Sequence, residues 1–355
     1  LPQSILSIRD KMEKAKAVYY FIQKHFNWNG NYRIISEIRV KDAFEKKSGN
    51  NSEINIALLN ALEAAGLKGN LVLLSTRENG LPTTDYPVMT DFNFTIVQLT
   101  IKGKNYMLDA TNKKTPFGLL PYRDLNVRGR VMDFKKGSYW QPIVPYTKNV
   151  HYVNTKITAN EEGIFTGVVN EVNTGYIGWQ KREALEENSK QEFLKEKQTS
   201  LPQLEIFEYT IENQKILEEP FKESYTTKLD KGNSGKIFLN PFYIETYFTE
   251  NPFNLQERNY PIDFGFPLTN TYLISIDLNN LYTVEKLPTN TALKLPNGDG
   301  AVSVVYNETE GKINVRLSLK LNNHSFPAEA YQGLKEFFAQ LMTIQNQQPI
   351  VLKKK

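Results

Sequence analysis

The stretch that most restricts the fold of this chain runs from residue 46 to residue 80. The Asn50 side chain can accept from free backbone N–H groups, and Glu53 follows three residues later, as in a helix capping box. Gly66 stands where a left-handed C-cap is favoured, and the apolar run 71–74 predicts a buried strand. The sequence therefore predicts a buried helix beside a core strand, a suitable scaffold for a site. Apolar residues recur between the caps at helical spacing, at Ile54, Ala57, Leu58, Ala61, Leu62 and Ala65.

Composition narrows the function classes. The chain has 355 residues, enough for two domains, and no cysteine, so disulfides, thiolate metal sites and cysteine nucleophiles are excluded. Its three histidines show no zinc-binding spacing, and no phosphate-binding glycine motif occurs, so we predict no metal and no cofactor. The net charge is only +4, and charged residues of both signs are interspersed along the chain, which argues against a nucleic-acid partner. No run of about 18 apolar residues exists, so no transmembrane segment is predicted.

The first domain is predicted to cover residues 1–140. Helical spacing predicts an amphipathic helix over 9–27 and a short helix or turn over 40–47. A polar loop over 76–90 precedes two strands over 92–111, which form a hairpin around Lys102 and Gly103. Residues 112–150 are rich in proline and predict an irregular strap that leads into the second domain.

The second domain is predicted to cover residues 141–355 and to be mostly antiparallel β with two helices. A hairpin is predicted from His151 onward, because polar and apolar residues alternate around a turn at 160–163. The helices are predicted over 177–197 and in the amphipathic segment that follows Pro327. The chain as a whole is thus predicted to be α+β. Further strands are predicted at 205–211, 223–229, 236–239, 271–278 and 302–319, with a short apolar segment at 349–352.

Three motifs in the first domain occur in an order and spacing that resemble a known superfamily. They are Gly49-Asn50-Asn51 before the helix, Asn93-Phe94 on the next strand pair and Asp109 at its end. Over residues 10–135 the chain resembles the transglutaminase-like superfamily, relatives of the papain-like cysteine hydrolases. In that superfamily a cysteine opens the helix, a histidine lies on the following strand and an aspartate orients the histidine.

The resemblance implies a pseudoenzyme. Asn51 falls on the nucleophile position and Phe94 on the base position, and only Asp109 is kept. An amide cannot supply a thiolate, and a phenyl ring cannot accept a proton. The run 116–121 and the β-rich remainder resemble bacterial proteins in which such a domain is flanked by β-rich domains of unknown function. We therefore expect a further N-terminal β domain before Leu1, and a location in the periplasm or outer cell envelope.

Two functional hypotheses follow. In the first, the degenerate domain is a binding or scaffolding module with a peptide or glycan ligand. In the second, the protein is a hydrolase that uses Asp109 with Glu53 or Ser52. Each residue also has a purely structural interpretation: Asn51 as a helix-start residue, Phe94 as core and Asp109 as a hydrogen-bonded structural carboxylate. The candidate ligand cleft consists of Asn50, Asn51, Ser52, Asn93, Phe94 and Asp109.

Overall fold

The computed structural model describes residues 1–187, 189–232, 234–244, 250–346 and 349–355. It divides into two compact units, Leu1–Tyr146 and Thr147–Lys355. The boundary between the units lies a few residues beyond the predicted boundary at residue 140, because strand Tyr139–Pro142 pairs with strand Arg128–Met132 of the first unit. Helices and mostly antiparallel strands occur in both units, so the α+β class is confirmed. Within the described ranges, no helix is long and apolar enough to cross a membrane.

The first unit places its helices beside a five-stranded antiparallel sheet of order β5-β4-β3-β6-β7, with a small parallel pair β1-β2. Its helices are α1 (Gln3–Leu6), α2 (Lys11–His25), α3 (Val40–Lys46) and α4 (Asn51–Ala64). Its strands are β1 (Asn27–Trp28), β2 (Ser48–Gly49), β3 (Gly69–Leu74), β4 (Phe94–Ile101), β5 (Lys104–Leu108), β6 (Arg128–Met132) and β7 (Tyr139–Pro142).

Helix α4 forms as its sequence predicts. The Glu53 N–H donates to Asn50 Oδ1 and the Asn50 N–H donates to Glu53 Oε2, both at 2.9 Å, which completes the capping box. Gly66 has φ of 76°, in the left-handed region that its C-cap position requires. The six apolar residues of the predicted stripe are all buried. The helix and the adjoining strand β3 are therefore confirmed.

The hairpin over 92–111 is also confirmed, but the irregular strap over 112–150 is wrong in part. Strand β6 pairs with β3, and β7 pairs with β6, so this segment adds two strands to the sheet. Gly129 on β6 allows the close approach, since a Cβ there would lie 2.6 Å from Val72 Cγ1. These strands are short and lie in a proline-rich segment, so the sequence pattern does not predict them.

The second unit is built on an eight-stranded sheet of order β10-β11-β9-β8-β14-β18-β17-β16. Only the β8–β14 pair in this sheet is parallel. Its helices are α5 (Gly175–Glu187), α6 (Lys190–Ser200) and α7 (Tyr331–Asn346). Its strands are β8 (Val150–Ala159), β9 (Ile164–Asn173), β10 (Glu205–Glu212), β11 (Phe221–Asp230), β12 (Lys236–Leu239), β13 (Ile262–Asp263), β14 (Leu268–Asp277), β15 (Tyr282–Lys286), β16 (Thr291–Lys294), β17 (Gly300–Thr309), β18 (Lys312–Leu321), β19 (Ser325–Phe326) and β20 (Ile350–Lys354).

The predicted strands of this unit are present, except that the run 302–319 forms two strands, β17 and β18, around a turn at 310–311. Among the described residues the prediction of two helices is corrected to three. The segment 177–197 forms two helices, because Ser189 caps a new helix in a box with Glu192. Residue 188, between them, lies outside the described residues. Residues alternate between buried and exposed along β8, β9 and β11, so one face of the sheet is covered and the other is open.

A buried charge cluster joins α5 and α6 to the covered face. Glu171 on β9 and Glu223 on β11 are direct cross-strand neighbours, and both side chains are fully buried. Lys197 Nζ lies 2.6 Å from Glu171 Oε1 and 3.2 Å from Glu223 Oε1, and Lys181 Nζ lies 2.8 Å from Glu223 Oε2. Two lysines thus neutralise two glutamates that would otherwise repel one another. We call these four residues the glutamate-pair cluster.

Candidate functional site

The N-terminus of α4 is covered by the loop that precedes α3. The Arg33 N–H donates to Asn51 Oδ1 at 2.6 Å, and Asn51 Nδ2 donates to the Arg33 carbonyl at 2.7 Å. Glu53 Oε1 accepts from the N–H groups of Glu37 and Ile38 at 3.0 and 3.1 Å. The Thr95 hydroxyl donates to the carbonyl of residue 34 at 3.1 Å. Residues 29–39, which we call the covering loop, are therefore fastened to both the helix and β4.

Gly49 is required for this arrangement. A Cβ at residue 49 would lie 2.8 Å from Glu53 Oε2, the oxygen that accepts from the Asn50 N–H. The glycine thus lets Glu53 serve the cap with one oxygen and the covering loop with the other. Ser52 is fully buried beside it, and its hydroxyl has no hydrogen-bond partner in the described part of the chain. None of these groups is exposed to act on a substrate.

Phe94 begins β4 and lies in an aromatic cluster. Its ring is fully buried, with ring centroids 6.2 Å from Trp28 and 5.6 Å from Tyr32. Tyr32 belongs to the covering loop and is adjacent to Arg33, the residue that binds Asn51. The preceding residue, Asn93, accepts from the Thr76 N–H at 2.9 Å and so holds the polar loop after β3. Phe94 packs as a core residue, and its neighbours link it to Asn51.

Asp109 follows β5 and is held by four donors. Asn55 Nδ2 on α4 donates to Asp109 Oδ1 at 2.8 Å, and the Thr111 N–H donates to the same oxygen at 3.1 Å. The Thr111 hydroxyl and Arg123 Nη2 donate to Oδ2, each at 2.7 Å. The side chain has no exposed surface. Asp109 therefore has the hydrogen bonding of a structural carboxylate.

Arg123 contacts both Phe94 and Asp109. The sequence alone does not identify it as a residue of this site. Its guanidinium carbon lies 5.1 Å from the centre of the Phe94 ring and 4.7 Å from that of Trp28, while Nη2 binds Asp109. Burial opposes its charge, but Asp124 and Asp109 outweigh burial, and the pKa of Arg123 is raised. It lies in the segment predicted to be an irregular strap, where no motif marks it.

A second carboxyl group, Asp124, adjoins this pair. Asp124 is fully buried, and its Oδ1 lies 3.6 Å from Arg123 Nε. Burial and the neighbouring Asp109 raise its pKa well above the ordinary value, and the attraction of Arg123 does not reverse the shift. One guanidinium faces two buried carboxyl groups here, which favours the protonated form of Asp124. We call Asp109, Arg123 and Asp124 the Arg123 cluster.

The structure thus joins all the candidate cleft residues in one connected group, but it leaves little of that group open. Asn50, Asn51, Ser52, Phe94 and Asp109 have no exposed surface, and Asn93 alone is partly exposed. A ligand that reached Asn51 would have to displace the covering loop. Among the described residues, no group of three His, Cys, Asp or Glu side chains is arranged to hold a metal ion.

Comparisons with known proteins found one family profile that matches part of the chain. Residues 235–352 match the profile of a family described as a domain of unknown function with a solved structure, DUF3858. A solved structure from Parabacteroides distasonis ATCC 8503, described as a "putative protease", is similar with a TM-score of 0.53 and 12% identity. The similarity covers 98% of this chain and 53% of that one, so this chain spans about half the length of the protein it matches. No curated protein matched the sequence.

Proposed function

We propose that this chain is a non-catalytic transglutaminase-like protein, and that its first unit is a binding or scaffolding module of the bacterial cell envelope. One observation carries the proposal: the candidate ligand cleft is filled by the protein's own groups. Asn51 is bound to the backbone of Arg33, and Arg123 lies against both Phe94 and Asp109. An amide and a phenyl ring supply neither a nucleophile nor a base.

The covering loop favours scaffolding over an open ligand cleft. It spans the start of α4, where the transglutaminase-like resemblance places the nucleophile. Its exposed apolar residues include Ile35 and Ile38, and Ile35 is 64% exposed. A peptide or glycan that approached this site would therefore meet the loop and not Asn51. The fold similarity to a bacterial protein described as a protease is compatible with descent from a hydrolase.

The direct test is turnover. The purified chain is incubated with labelled casein for hydrolysis, with casein and a fluorescent amine for transamidation, and with a nitrophenyl ester for acyl transfer. We expect rates equal to those of buffer for the wild type, for Asn51→Ala and for Asp109→Asn. Turnover that disappears in Asn51→Ala would contradict the proposal.

A repair experiment tests the placement of the triad positions. The double change Asn51→Cys with Phe94→His should bring a thiol and an imidazole together, and an imidazolium lowers the pKa of a neighbouring thiol. Iodoacetamide should therefore label the double variant faster near pH 7 than it labels Asn51→Cys alone, which serves as the matched control. Equal rates in the two variants would show that residues 51 and 94 are not placed as the resemblance implies.

A second candidate function rests on Asp109 and Asp124. Two adjacent carboxyls with one raised pKa are the arrangement that aspartic proteases use for acid–base catalysis. Both side chains are fully buried beneath Arg123, which argues against access by a substrate. This candidate predicts casein hydrolysis that is abolished by Asp124→Asn and by Asp109→Asn but retained in Asn51→Ala. The absence of such hydrolysis between pH 3 and 8 would eliminate it.

A further inference from the structure

The open face of the eight-stranded sheet carries a groove that the proposed function does not use. It has a volume of about 360 Å³ and lies across β8, β14, β18 and β17. The covered face of the same sheet holds the buried core of the unit, so the groove is formed by the outward residues of these strands. It belongs wholly to the second unit and is independent of the Arg123 cluster.

The strand register arranges the groove in two adjacent rows. One row runs Lys156, Ser275, Asn314 and Asn307 across the four strands. The next row, two residues along each strand, runs Asn154, Leu273, Arg316 and Val305. Because residues two apart share a face, all eight side chains emerge on the same side. In the second row Leu273 therefore lies between the strands that carry Lys156 and Arg316, and Val305 lies beyond Arg316 on β17.

The charge of the groove is entirely positive. Lys156 and Arg316 are exposed, and no acidic side chain is among the described residues that line the groove. Neither cation forms an ion pair within the described ranges, whereas Lys312, one row away on β18, is 3.3 Å from Asp277. Asn314 likewise has no side-chain hydrogen bond among the described residues. The groove thus presents two unneutralised cations and an amide without a protein partner.

The spacing of the two cations matches an extended peptide. They lie two strands and two residues apart, which places their Cβ atoms on the order of 12 Å from each other. Side chains at positions i and i+4 of an extended chain emerge on one side about 13 Å apart. Side-chain amides can donate to and accept from peptide groups, which suits Asn154, Asn307 and Asn314. No aromatic ring is among the described lining residues to stack on a sugar.

We propose that this groove binds an acidic peptide in extended conformation, with carboxylates at positions i and i+4 on Lys156 and Arg316 and an apolar residue at i+2 on Leu273. The asparagine amides bind the peptide backbone. The charge complementarity commits the occupant to an anion, and the apolar Leu273 between the two cations distinguishes it from a simple counter-ion.

The test uses fluorescence anisotropy with the whole chain and a fluorescein-labelled peptide, Thr-Glu-Thr-Val-Thr-Glu-Thr. We expect the Lys156→Gln and Arg316→Gln changes each to weaken binding about fivefold at low salt, and together more than tenfold. Lys320→Gln is the matched control, because it removes a cation from the same face of β18 outside the groove. A peptide with Gln at both Glu positions should bind as weakly as the wild-type peptide binds the double variant.

Four outcomes would overturn the proposal. Three come from the titrations: no saturable binding, equal affinity in the double variant, or an equal loss in Lys320→Gln. The fourth comes from competition. Competition by an acidic oligosaccharide such as trigalacturonate at lower concentration than the unlabelled peptide would show that the groove is a glycan site and not a peptide site. Because all three substituted residues are exposed, the tryptophan fluorescence transition on urea unfolding should be unchanged, which verifies that each variant is folded.

Discussion

The two units solve the same electrostatic problem in different ways. Each buries two carboxyl groups beside one another: Asp109 and Asp124 in the first unit, Glu171 and Glu223 in the second. The first unit provides one cation for its pair, Arg123, whereas the second provides two, Lys181 and Lys197. The second cluster is therefore balanced by ions, and the first is balanced only if it keeps a proton.

The pKa values move in opposite directions for this reason. Burial alone raises the pKa of a carboxyl group, and in Asp124 this effect prevails, reinforced by Asp109. In Glu171 burial acts in the same sense, but Lys197, Lys181 and His151 reverse it, and the pKa falls well below the ordinary value. Two equally buried acids thus have a raised pKa in one unit and a lowered pKa in the other. The number of cations decides which.

The largest expected effect follows from removing a cation from the balanced cluster. Lys197→Met leaves two buried glutamates with one lysine, and we expect the second unit to lose about 3–5 kcal/mol of unfolding free energy. Urea unfolding followed by Trp179 fluorescence, in a Trp28→Phe, Trp140→Phe background, reports on this unit alone.

Two variants control this measurement. Lys222→Met removes an exposed lysine that pairs with Glu212 on the same sheet, and it should cost less than about 0.5 kcal/mol. Adding Glu223→Gln to Lys197→Met restores one charge of each sign and should recover part of the loss. A loss no larger than that of Lys222→Met would show that the buried cluster is not energetically coupled to α6.

A smaller effect is expected from the same change in the unbalanced cluster. Arg123→Met leaves Asp109 with its donors from Asn55 and Thr111, so we expect a loss of about 2–3 kcal/mol in the first unit. The measurement is urea unfolding followed by Trp28 and Trp140 in a Trp179→Phe background. Arg128→Met, an exposed arginine of the same unit, is the control. If Arg123→Met matched Lys197→Met, the retained proton would not lessen the cost of losing the cation.

The smallest expected effect is the pH dependence of stability, and it distinguishes the two units most directly. Because the pKa of Asp124 is raised on folding, the native first unit binds more protons above the unfolded pKa of about 3.9, and its stability should fall as pH rises. Because the pKa of Glu171 is lowered, its contribution is present above about 4.3 and is lost as pH falls through its folded pKa. The two units should therefore show contributions of opposite slope.

Asp124→Asn isolates the first of these slopes. An amide mimics the protonated acid, so the change should flatten the pH dependence of the first unit and leave its stability near pH 4 nearly unchanged. Asp85→Asn, at an exposed carboxylate of the same unit, should leave the slope in place. A slope that persists in Asp124→Asn would mean that Asp124 is ionised in the native protein.

The local features of the site were predictable because they depend on near neighbours in the chain. The capping box of α4 needs only Asn50 and Glu53 three residues apart, and the left-handed turn needs only Gly66. The buried stripe of α4 follows from helical periodicity, and the β4–β5 hairpin from the turn at Lys102 and Gly103. The grouping of Asn51, Phe94 and Asp109 came from the resemblance and not from any pattern in these residues.

What the sequence missed depends on pairings between distant segments. Strands β6 and β7 are short and flanked by prolines, and only their pairing with β3 and with each other makes them strands. Arg123 lies in the same segment, and its role arises from Asp109, Phe94 and Trp28, which reach it from three other parts of the chain. The position of the covering loop could not be predicted from the sequence either, because it binds Asn51 and Glu53 through backbone groups that any residue supplies.

The sequence by itself determined the absence of cysteine chemistry, the α+β class and the organising helix, since composition and short-range periodicity are properties of the chain alone. Only the tertiary structure decided that the candidate cleft is filled by the protein's own loop and arginine. It also decided that burial raises the pKa of Asp124, whereas the neighbouring cations lower the pKa of Glu171. Charge balance in a low-dielectric interior depends on which distant side chains meet there, and that is set by packing and not by order along the chain.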